Sequence, residues 1–140
     1  MIAPVPTISD LNDVLADTPF LQPYGFCVEA AAPGECTLLV PFRRSLERPG
    51  GIVSGMTLMG AADVAMWLAI MTLRGVSEHW VTSDMKTAFL RGAREEDISC
   101  SARILKRGKR DRCTAPPNAM ARTRGSSRTT SSPMRVRRYD

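Results

Sequence analysis

The middle of the chain is a long apolar run, and strand-like segments lie on both sides of it. Residues 55–73 are uncharged and mostly apolar except for one acid, Asp63. Such a run predicts a helix that is hydrophobic on all sides and therefore wrapped by the rest of the protein. Two strand-like segments precede the run and two follow it, at residues 24–31, 36–42, 79–90 and 98–106. This order predicts an α+β fold, with an antiparallel sheet wrapped around one long central apolar helix.

Local signals predict the limits of the smaller elements. Either Thr7 or Ser9 is placed to cap a short helix over residues 10–16. The dipeptide Pro33-Gly34 predicts a turn between the first two strands.

The apolar run is also long enough to span a membrane. However, Asp63 lies near its midpoint, where a charge costs roughly 2.5–3.5 kcal/mol on insertion. No second apolar segment of that length accompanies it. We therefore expect the core helix of a soluble protein and no membrane partner. The lone carboxylate is then buried, and a buried carboxylate needs hydrogen bonds or a chemical use.

Cysteine and histidine usage indicates the compartment and the absence of a metal. Cys27, Cys36, Cys100 and Cys113 form no C-x-x-C pair, and no charged-then-apolar signal segment opens the chain. These features are typical of a reduced, cytoplasmic protein. Only one histidine, His79, is present, which excludes a His-rich metal site. We expect neither a metal nor a cofactor.

The net charge of +5 is concentrated at the end of the chain. Residues 1–109 carry 11 Lys and Arg against 12 Asp and Glu, whereas residues 110–140 carry eight Arg and two Asp. The basicity of the whole chain therefore says little about the folded part. We predict a single domain over residues 1–109, followed by a basic segment rich in Arg, Ser, Thr and Pro.

Two interpretations of residues 110–140 stay open. One is a disordered basic tail, since the segment lacks Leu, Ile, Phe and Trp. The other is a shifted reading frame, because GC-rich codons for residues 113–134 can be chosen so that a second frame encodes two strands around an acidic glycine turn. Translated as printed, the segment is expected to lack the two strands that would complete the sheet. The intact mass of the natural protein distinguishes the two interpretations.

A glycine-rich loop leads into the apolar helix. The loop contains Gly50 and Gly51, and the helix is predicted to begin at Gly55. The free N–H groups of a helix start can hold an oxyanion, and Asp63 further along can act as a general base or nucleophile. On one chain the two are too far apart to act on one small carbonyl group. Antiparallel helices of two protomers would bring one helix start beside the other chain's Asp63.

Both features also have a purely structural interpretation. Asp63 would then be a buried acid that is hydrogen-bonded for stability. The glycines would serve a plain turn and close packing of the helix.

Three motifs together resemble the hotdog-fold acyl-CoA thioesterases of the phenylacetate-pathway (PaaI) type. The motifs are residues 48–63 (RPGGIVSGMTLMGAAD), 81–91 (VTSDMKTAFLR) and 104–110 (ILKRGKR). The resemblance covers residues 24–110.

The family pattern is an Asn, a Gly, a His-Gly-Gly run and a catalytic acid nine residues after the His. Gly51, Gly55 and Asp63 keep this spacing in the present chain. Three positions depart from the pattern: Arg48 replaces the Asn, Ser54 replaces the His and Met56 replaces the last Gly.

The resemblance implies an enzyme that hydrolyses an acyl-CoA with an aromatic or short- to medium-chain acyl group, with coenzyme A as part of the substrate. It also implies a homodimer that pairs into a dimer of dimers. Asp63 would be the base or nucleophile, with Gly55 and Ser54 at the helix start completing the catalytic group. The substrate-binding residues would be Arg48, Gly51, Met56, Met59, Trp67, Thr82, Arg91 and Arg107.

Other interpretations remain for these residues and for the function. Met59 and Trp67 also fit a plain core, and the arginines also fit a solvated surface. Because the family Asn and His are replaced, a non-catalytic hotdog domain that binds an acyl chain or acts as a scaffold is the alternative function. Nucleic-acid binding through residues 110–140 is a weaker one, since no aromatic residue lies among their arginines before Tyr139.

Overall fold

We describe the protein from a computed structural model. It defines the backbone of residues 4–89, 92–107, 112–115, 120–123, 130–131 and 134–139, and the side chains of residues 4–87, 89 and 92–105. The helices are α1 (Ile8–Ala16) and α2 (Gly55–Arg74), with short 3-10 turns at Pro19–Tyr24 and Arg44–Leu46. The strands are β1 (Cys27–Ala32), β2 (Glu35–Val40), β3 (Glu47–Arg48), β4 (Ile52–Val53), β5 (His79–Met85), β6 (Ala88–Phe89), β7 (Ile98–Arg103), β8 (Lys106–Arg107), β9 (Arg112–Ala115), β10 (Met120–Thr123), β11 (Thr130–Ser131) and β12 (Met134–Tyr139).

Antiparallel pairing organises the main strands into two four-stranded sheets. The first has the order β1-β2-β7-β10 and the second has the order β5-β12-β9-β8. Two minor ribbons pair β3 with β4 and β6 with β11. Helix α2 packs against the first sheet, through β1, β2 and β7. The α+β class and the order of elements around the central helix are as predicted.

Helix α2 forms the centre of the hydrophobic core. Ser54 caps its start, where the Ser54 hydroxyl accepts a hydrogen bond from the N–H of Thr57 at 3.1 Å. Twelve of its twenty residues are buried, and Ala61, Ala65 and Ala69 are wholly inaccessible. These small side chains let the helix backbone approach the sheet closely. The helix is long and apolar enough to cross a membrane, with a mean hydropathy of 1.6, but 67% of that stretch is buried inside the protein.

One stripe of α2 is left uncovered by its own chain. Met56 is 77% exposed, Met59 is 37% exposed and Asp63 is also exposed. Their spacing places them on one face of the helix, whereas the first sheet packs against other faces. The expectation that the helix is wrapped on every side, with Asp63 buried, is therefore wrong for the single protomer.

The predicted helix cap and turn are confirmed, although α1 begins at Ile8 and not at residue 10. Thr7 caps α1 in a reciprocal capping box with Asp10. Gly34 has φ +77° in the turn between β1 and β2, a conformation that favours glycine. This turn is fastened to the end of α2, because the N–H of Gly34 donates to Oγ1 of Thr72 at 2.8 Å. The Thr72 hydroxyl donates in turn to the carbonyl of Ala69 at 2.6 Å.

Residues 110–140 contribute strands to both main sheets. β12 pairs with β5 and with β9, and β10 pairs with β7. The prediction that the printed segment lacks the strands completing the sheet is therefore wrong. Ladder hydrogen bonds join backbone groups, so a composition rich in Arg, Ser and Thr does not exclude them. Strand pairing does not test the reading frame, which stays a prediction.

Candidate active site

Asp63 and Thr82 meet where α2 lies beside β5. The hydroxyl of Thr82 donates a short hydrogen bond to Oδ1 of Asp63. One carboxylate oxygen is thereby oriented by a side chain from another element, which leaves Oδ2 available for chemistry. The sequence pattern places both residues in the site, but it does not indicate that they bond to each other.

A cavity of about 590 Å³ opens beside this pair of residues. Helix α2 forms one wall and β5 forms the other, and the lining is mostly apolar. It consists of Phe20, Asp63, Val64, Trp67, Ile70, His79, Trp80, Val81 and Thr82. Its volume is within the range of pockets that hold small organic ligands, roughly 300–1,000 Å³. A carboxylate at the side of an apolar cavity is an arrangement that can act on a polar bond of an otherwise apolar ligand.

The start of α2 lies at a second cavity, of about 430 Å³. Gly55 and Arg48 line it together with Phe89 and Gly92. A Cβ atom at Gly55 would lie only 3.1 Å from the Phe89 ring, so a side chain there would require the ring to shift by a few tenths of an ångström. The first N–H groups of a helix have no partner within the helix, and those of Gly55 and Met56 are therefore suited to bind an anionic oxygen.

Asp63 and the start of α2 lie apart within one protomer. Asp63 follows Ser54 by nine residues, about 13 Å along the helix axis, and each lies at a different cavity. This agrees with the expectation that a single chain cannot bring the helix start and Asp63 to one carbonyl group.

The remaining predicted residues are distributed as follows. Trp67 lines the first cavity with Thr82, whereas Met56 and Met59 lie on the uncovered stripe of α2 and line neither cavity. Gly51 has φ +72° in its turn, where the guanidinium of Arg94 donates to the carbonyl of Gly50 at 2.9 Å. Arg91 lies outside the described residues, and so does the side chain of Arg107.

Six residues of the first cavity were missed by the sequence analysis: Phe20, Val64, Ile70, His79, Trp80 and Val81. A signal for Trp80 was present, since alternate residues of a strand share a face and Trp80 precedes Thr82 by two positions. Phe20 carried no such signal, because its turn reaches the cavity only through the tertiary fold.

The described part of the chain offers little evidence for a reactive thiol or a metal site. Burial raises the pKa of the Cys36 and Cys100 thiols to about 12, so both stay protonated at neutral pH. Among the described residues, no group of three or more His, Cys, Asp and Glu is arranged to hold a metal ion. Among the described residues that line the first cavity, Asp63 is the carboxylate.

Comparison with known proteins identifies the family. The sequence model of the thioesterase superfamily matches residues 50–111. A candidate esterase of Saccharolobus solfataricus is 30% identical over 107 residues, which are 76% of this chain and 71% of that protein. The chain belongs to the thioesterase superfamily. Membership supports a hydrolase of the esterase and thioesterase type.

Solved structures give this thioesterase-superfamily protein the hotdog fold. A candidate thioesterase from a Silicibacter species has a TM-score of 0.85 at 25% identity, over 99% of this chain and 96% of that one. A variant of the phenylacetic acid degradation protein PaaI from Thermus thermophilus has a TM-score of 0.73 at 23% identity, over 86% and 99% of the two chains. The predicted fold and family are therefore confirmed.

Proposed function

We propose that this protein hydrolyses the thioester bond of an acyl-CoA, with Asp63 as the catalytic carboxylate. The observation that carries the proposal is the position of Asp63, hydrogen-bonded by Thr82 at the side of a largely apolar cavity of about 590 Å³. An apolar acyl group would occupy this cavity, and its thioester carbon would lie beside the carboxylate. The superfamily assignment supports the same type of reaction.

In the general-base route, Asp63 takes a proton from water while the water oxygen attacks the thioester carbon. In the nucleophilic route, the carboxylate attacks directly and water then hydrolyses the resulting anhydride. In both, the carbonyl oxygen becomes an oxyanion that the N–H of Gly55 or Met56 would stabilise. The carbon–sulfur bond breaks, and the thiolate of coenzyme A leaves and is protonated. Thr82 keeps the Asp63 carboxylate in one orientation.

The complete site requires two protomers. Asp63 and the start of α2 lie at separate cavities of one chain, so a partner chain would supply the helix start. The exposed side chains of Met56 and Met59 offer an apolar face for such a partner beside Asp63. In the described part of the chain, β5 is an edge strand of its sheet, and an edge strand can pair with a second copy. A homodimer joined through these features, and a dimer of dimers, belong to the proposal.

The coenzyme A end of the substrate would lie near the helix start. Arg48 lines the cavity at Gly55, and a guanidinium is well suited to bind phosphate. Arg91 and Arg107 are proposed as further phosphate ligands on the basis of the family resemblance. Ser54, in contrast, uses its hydroxyl oxygen to accept the Thr57 N–H.

Substitution of the carboxylate tests the proposal. We expect Asp63→Asn to lower kcat for acyl-CoA hydrolysis by roughly 10²- to 10⁴-fold, the usual contribution of a general base. The amide keeps the size of the side chain and still accepts from Thr82, so the melting temperature should change little. Release of free coenzyme A from a panel of acyl-CoA substrates measures the rate.

Asp84→Asn is the matched control, because Asp84 is an exposed carboxylate on the same strand as Thr82. It should hydrolyse the panel at the wild-type rate. Equal rates for Asp63→Asn and wild type would exclude Asp63 as the catalytic group. If the wild-type protein binds acyl-CoA but does not hydrolyse it, the proposed hydrolase activity is wrong and the non-catalytic alternative, acyl binding, is supported.

A further inference from the structure

Both tryptophans of the chain line the cavity beside Asp63. Trp67 follows Asp63 by four residues, about 6 Å along α2 and on the same face. Trp80 precedes Thr82 by two residues, about 7 Å along β5 and on the same face. Because Thr82 hydrogen-bonds to Asp63, the two indoles lie at a similar depth, about 6–7 Å beyond the carboxylate.

The indole N–H of Trp80 is hydrogen-bonded to a carboxylate. Its Nε1 donates to Oε2 of Glu78 at 3.1 Å. Arg74 in turn donates Nε and Nη2 to the two oxygens of Glu78, at 2.9 and 3.0 Å. The guanidinium carbon of Arg74 also lies 6.0 Å from the centre of the Trp80 ring. A paired fork of charge-assisted hydrogen bonds leaves the carboxylate little freedom to rotate, so the direction of the indole N–H is fixed.

This cluster joins the two walls of the cavity at one end. Arg74 is the last residue of α2, and Glu78 directly precedes β5. Trp80 itself is only 9% exposed, so its ring has little room to turn aside for a ligand. A chain of carbon–carbon bonds, each about 1.5 Å long, reaches the depth of the indoles after about five carbons.

We infer that Trp80 is a specificity-determining residue of the acyl cavity and that Glu78 positions its ring. The inference rests on the proposed function and adds the residues that limit the length of the acyl group. The cavity accepts a compact acyl group, such as a single flat ring or a short chain. It discriminates against a chain that must continue past the two indoles.

Three variants test the inference, with butanoyl-CoA and decanoyl-CoA as substrates. Trp80→Ala opens the cavity and should raise the ratio of kcat/KM for decanoyl-CoA over butanoyl-CoA by about tenfold or more. Glu78→Gln keeps the length of the side chain but removes its charge, and it should shift the ratio in the same direction by a smaller factor. Glu35→Gln, at an exposed carboxylate of β2, should leave the ratio unchanged.

Fluorescence distinguishes a positioning role of Glu78 from a purely structural one. In a Trp67→Phe background, Trp80 is the single tryptophan. Adding Glu78→Gln should lower its emission anisotropy, because the ring gains freedom when its charged partner is lost. A Glu78→Gln protein with a lower melting temperature but wild-type selectivity and anisotropy would overturn the positioning role.

Different experimental results would contradict the inference and the proposed function. A wild type without turnover contradicts thioester hydrolysis. Titration of the two acyl-CoAs against Trp80 fluorescence, in the Trp67→Phe background, still measures selectivity at the level of Kd. For Trp80→Ala, which keeps Trp67, the same titration follows Trp67 fluorescence. Loss of the preference for butanoyl-CoA over decanoyl-CoA in Trp80→Ala would support the inference by this route. An unchanged preference in Trp80→Ala, by either route, would overturn it.

Discussion

Ser54 shows how a single residue can keep a local structure while departing from its family. The family resemblance places a histidine at this position, but here the serine hydroxyl caps α2 through the N–H of Thr57. It also lies 2.8 Å from the Thr57 hydroxyl. Serine is among the strongest N-cap residues, so the start of the helix, and with it the proposed oxyanion site, is preserved.

We therefore predict that Ser54→Ala lowers the free energy of unfolding by about 1 kcal/mol, the usual contribution of an N-cap side chain. Ser54→Asn should stay close to wild type because asparagine also caps helices. Urea denaturation measures both. Ser77→Ala, at an exposed loop serine, is the control, and equal stability of Ser54→Ala and Ser77→Ala would show that the cap contributes nothing.

The buried thiols give a pH dependence whose direction follows from their burial. The pKa of Cys36 and of Cys100 is raised from 9.0 to about 12, chiefly because burial disfavours the thiolate. Above pH 9 the unfolded chain therefore loses thiol protons that the folded chain retains. The stabilisation is complete below pH 9 and is lost as the pH rises towards 12.

For one such thiol, we expect the free energy of unfolding to fall by about 1 kcal/mol between pH 8 and pH 10. The comparison of wild type with Cys100→Ala at the two pH values isolates this contribution from other titrating groups. The wild type should lose more stability than the variant over this interval. Equal losses would show that the Cys100 thiol ionises alike in both states.

At the scale of elements, the end of α2 is fastened to the turn between β1 and β2. Thr72 is 2% exposed, and its hydroxyl accepts the N–H of Gly34 and donates to the carbonyl of Ala69. The carbonyl of Gly34 accepts the N–H of Ile104 at 2.8 Å. Helix and sheet are therefore held in register by polar contacts as well as by apolar packing.

Thr72→Val should lower the free energy of unfolding by about 1–3 kcal/mol, because the buried N–H of Gly34 loses its acceptor. Valine has nearly the shape of threonine, so packing changes little. Thr72→Ser keeps the hydroxyl and should recover much of the loss. Denaturant unfolding of the three proteins checks the prediction, and a Val variant as stable as the Ser variant would contradict it.

At the scale of the whole molecule, the protomer leaves an apolar stripe and a strand edge open. Met56, Met59 and Asp63 are exposed on one face of the core helix. In the described sheets, β5 follows that helix as an edge strand. The proposed dimer would cover both features and would bring Asp63 to the start of the partner's helix.

We predict that Met59→Lys abolishes the dimer and lowers hydrolysis to the level of Asp63→Asn, while the protomer stays folded. The long lysine side chain can reach water from the partly exposed Met59 position in a monomer, whereas its charge would be desolvated in the interface. Val76→Lys is the control, since Val76 is 48% exposed and lies beyond the end of α2 at Arg74. Light scattering gives the mass in solution, and a Met59→Lys protein that remains dimeric and active would contradict the proposed interface.

The local structure could be predicted from the sequence because its causes are local. The run of residues 55–73 nearly coincides with α2, whose start is set by Ser54 and whose end is set by Gly75. The capping box of Thr7 and the turn at Gly34 are likewise encoded within a few residues. The strands of residues 110–140 were missed. Amino-acid composition describes side chains, whereas the pairing of these strands depends on backbone groups of strands far away in the sequence.

The sequence by itself determined the fold class, the central helix with its caps, and Asp63 as the lone acid of that helix. Periodicity, capping and helix spacing are properties of neighbouring residues, so they can be deduced without a structure. Only the tertiary structure decided that Asp63 meets Thr82 across 19 positions, that Trp80 lines the same cavity, and which stripe of α2 stays uncovered. These contacts depend on where β5 crosses the helix and on which faces the first sheet covers, and no local pattern encodes either.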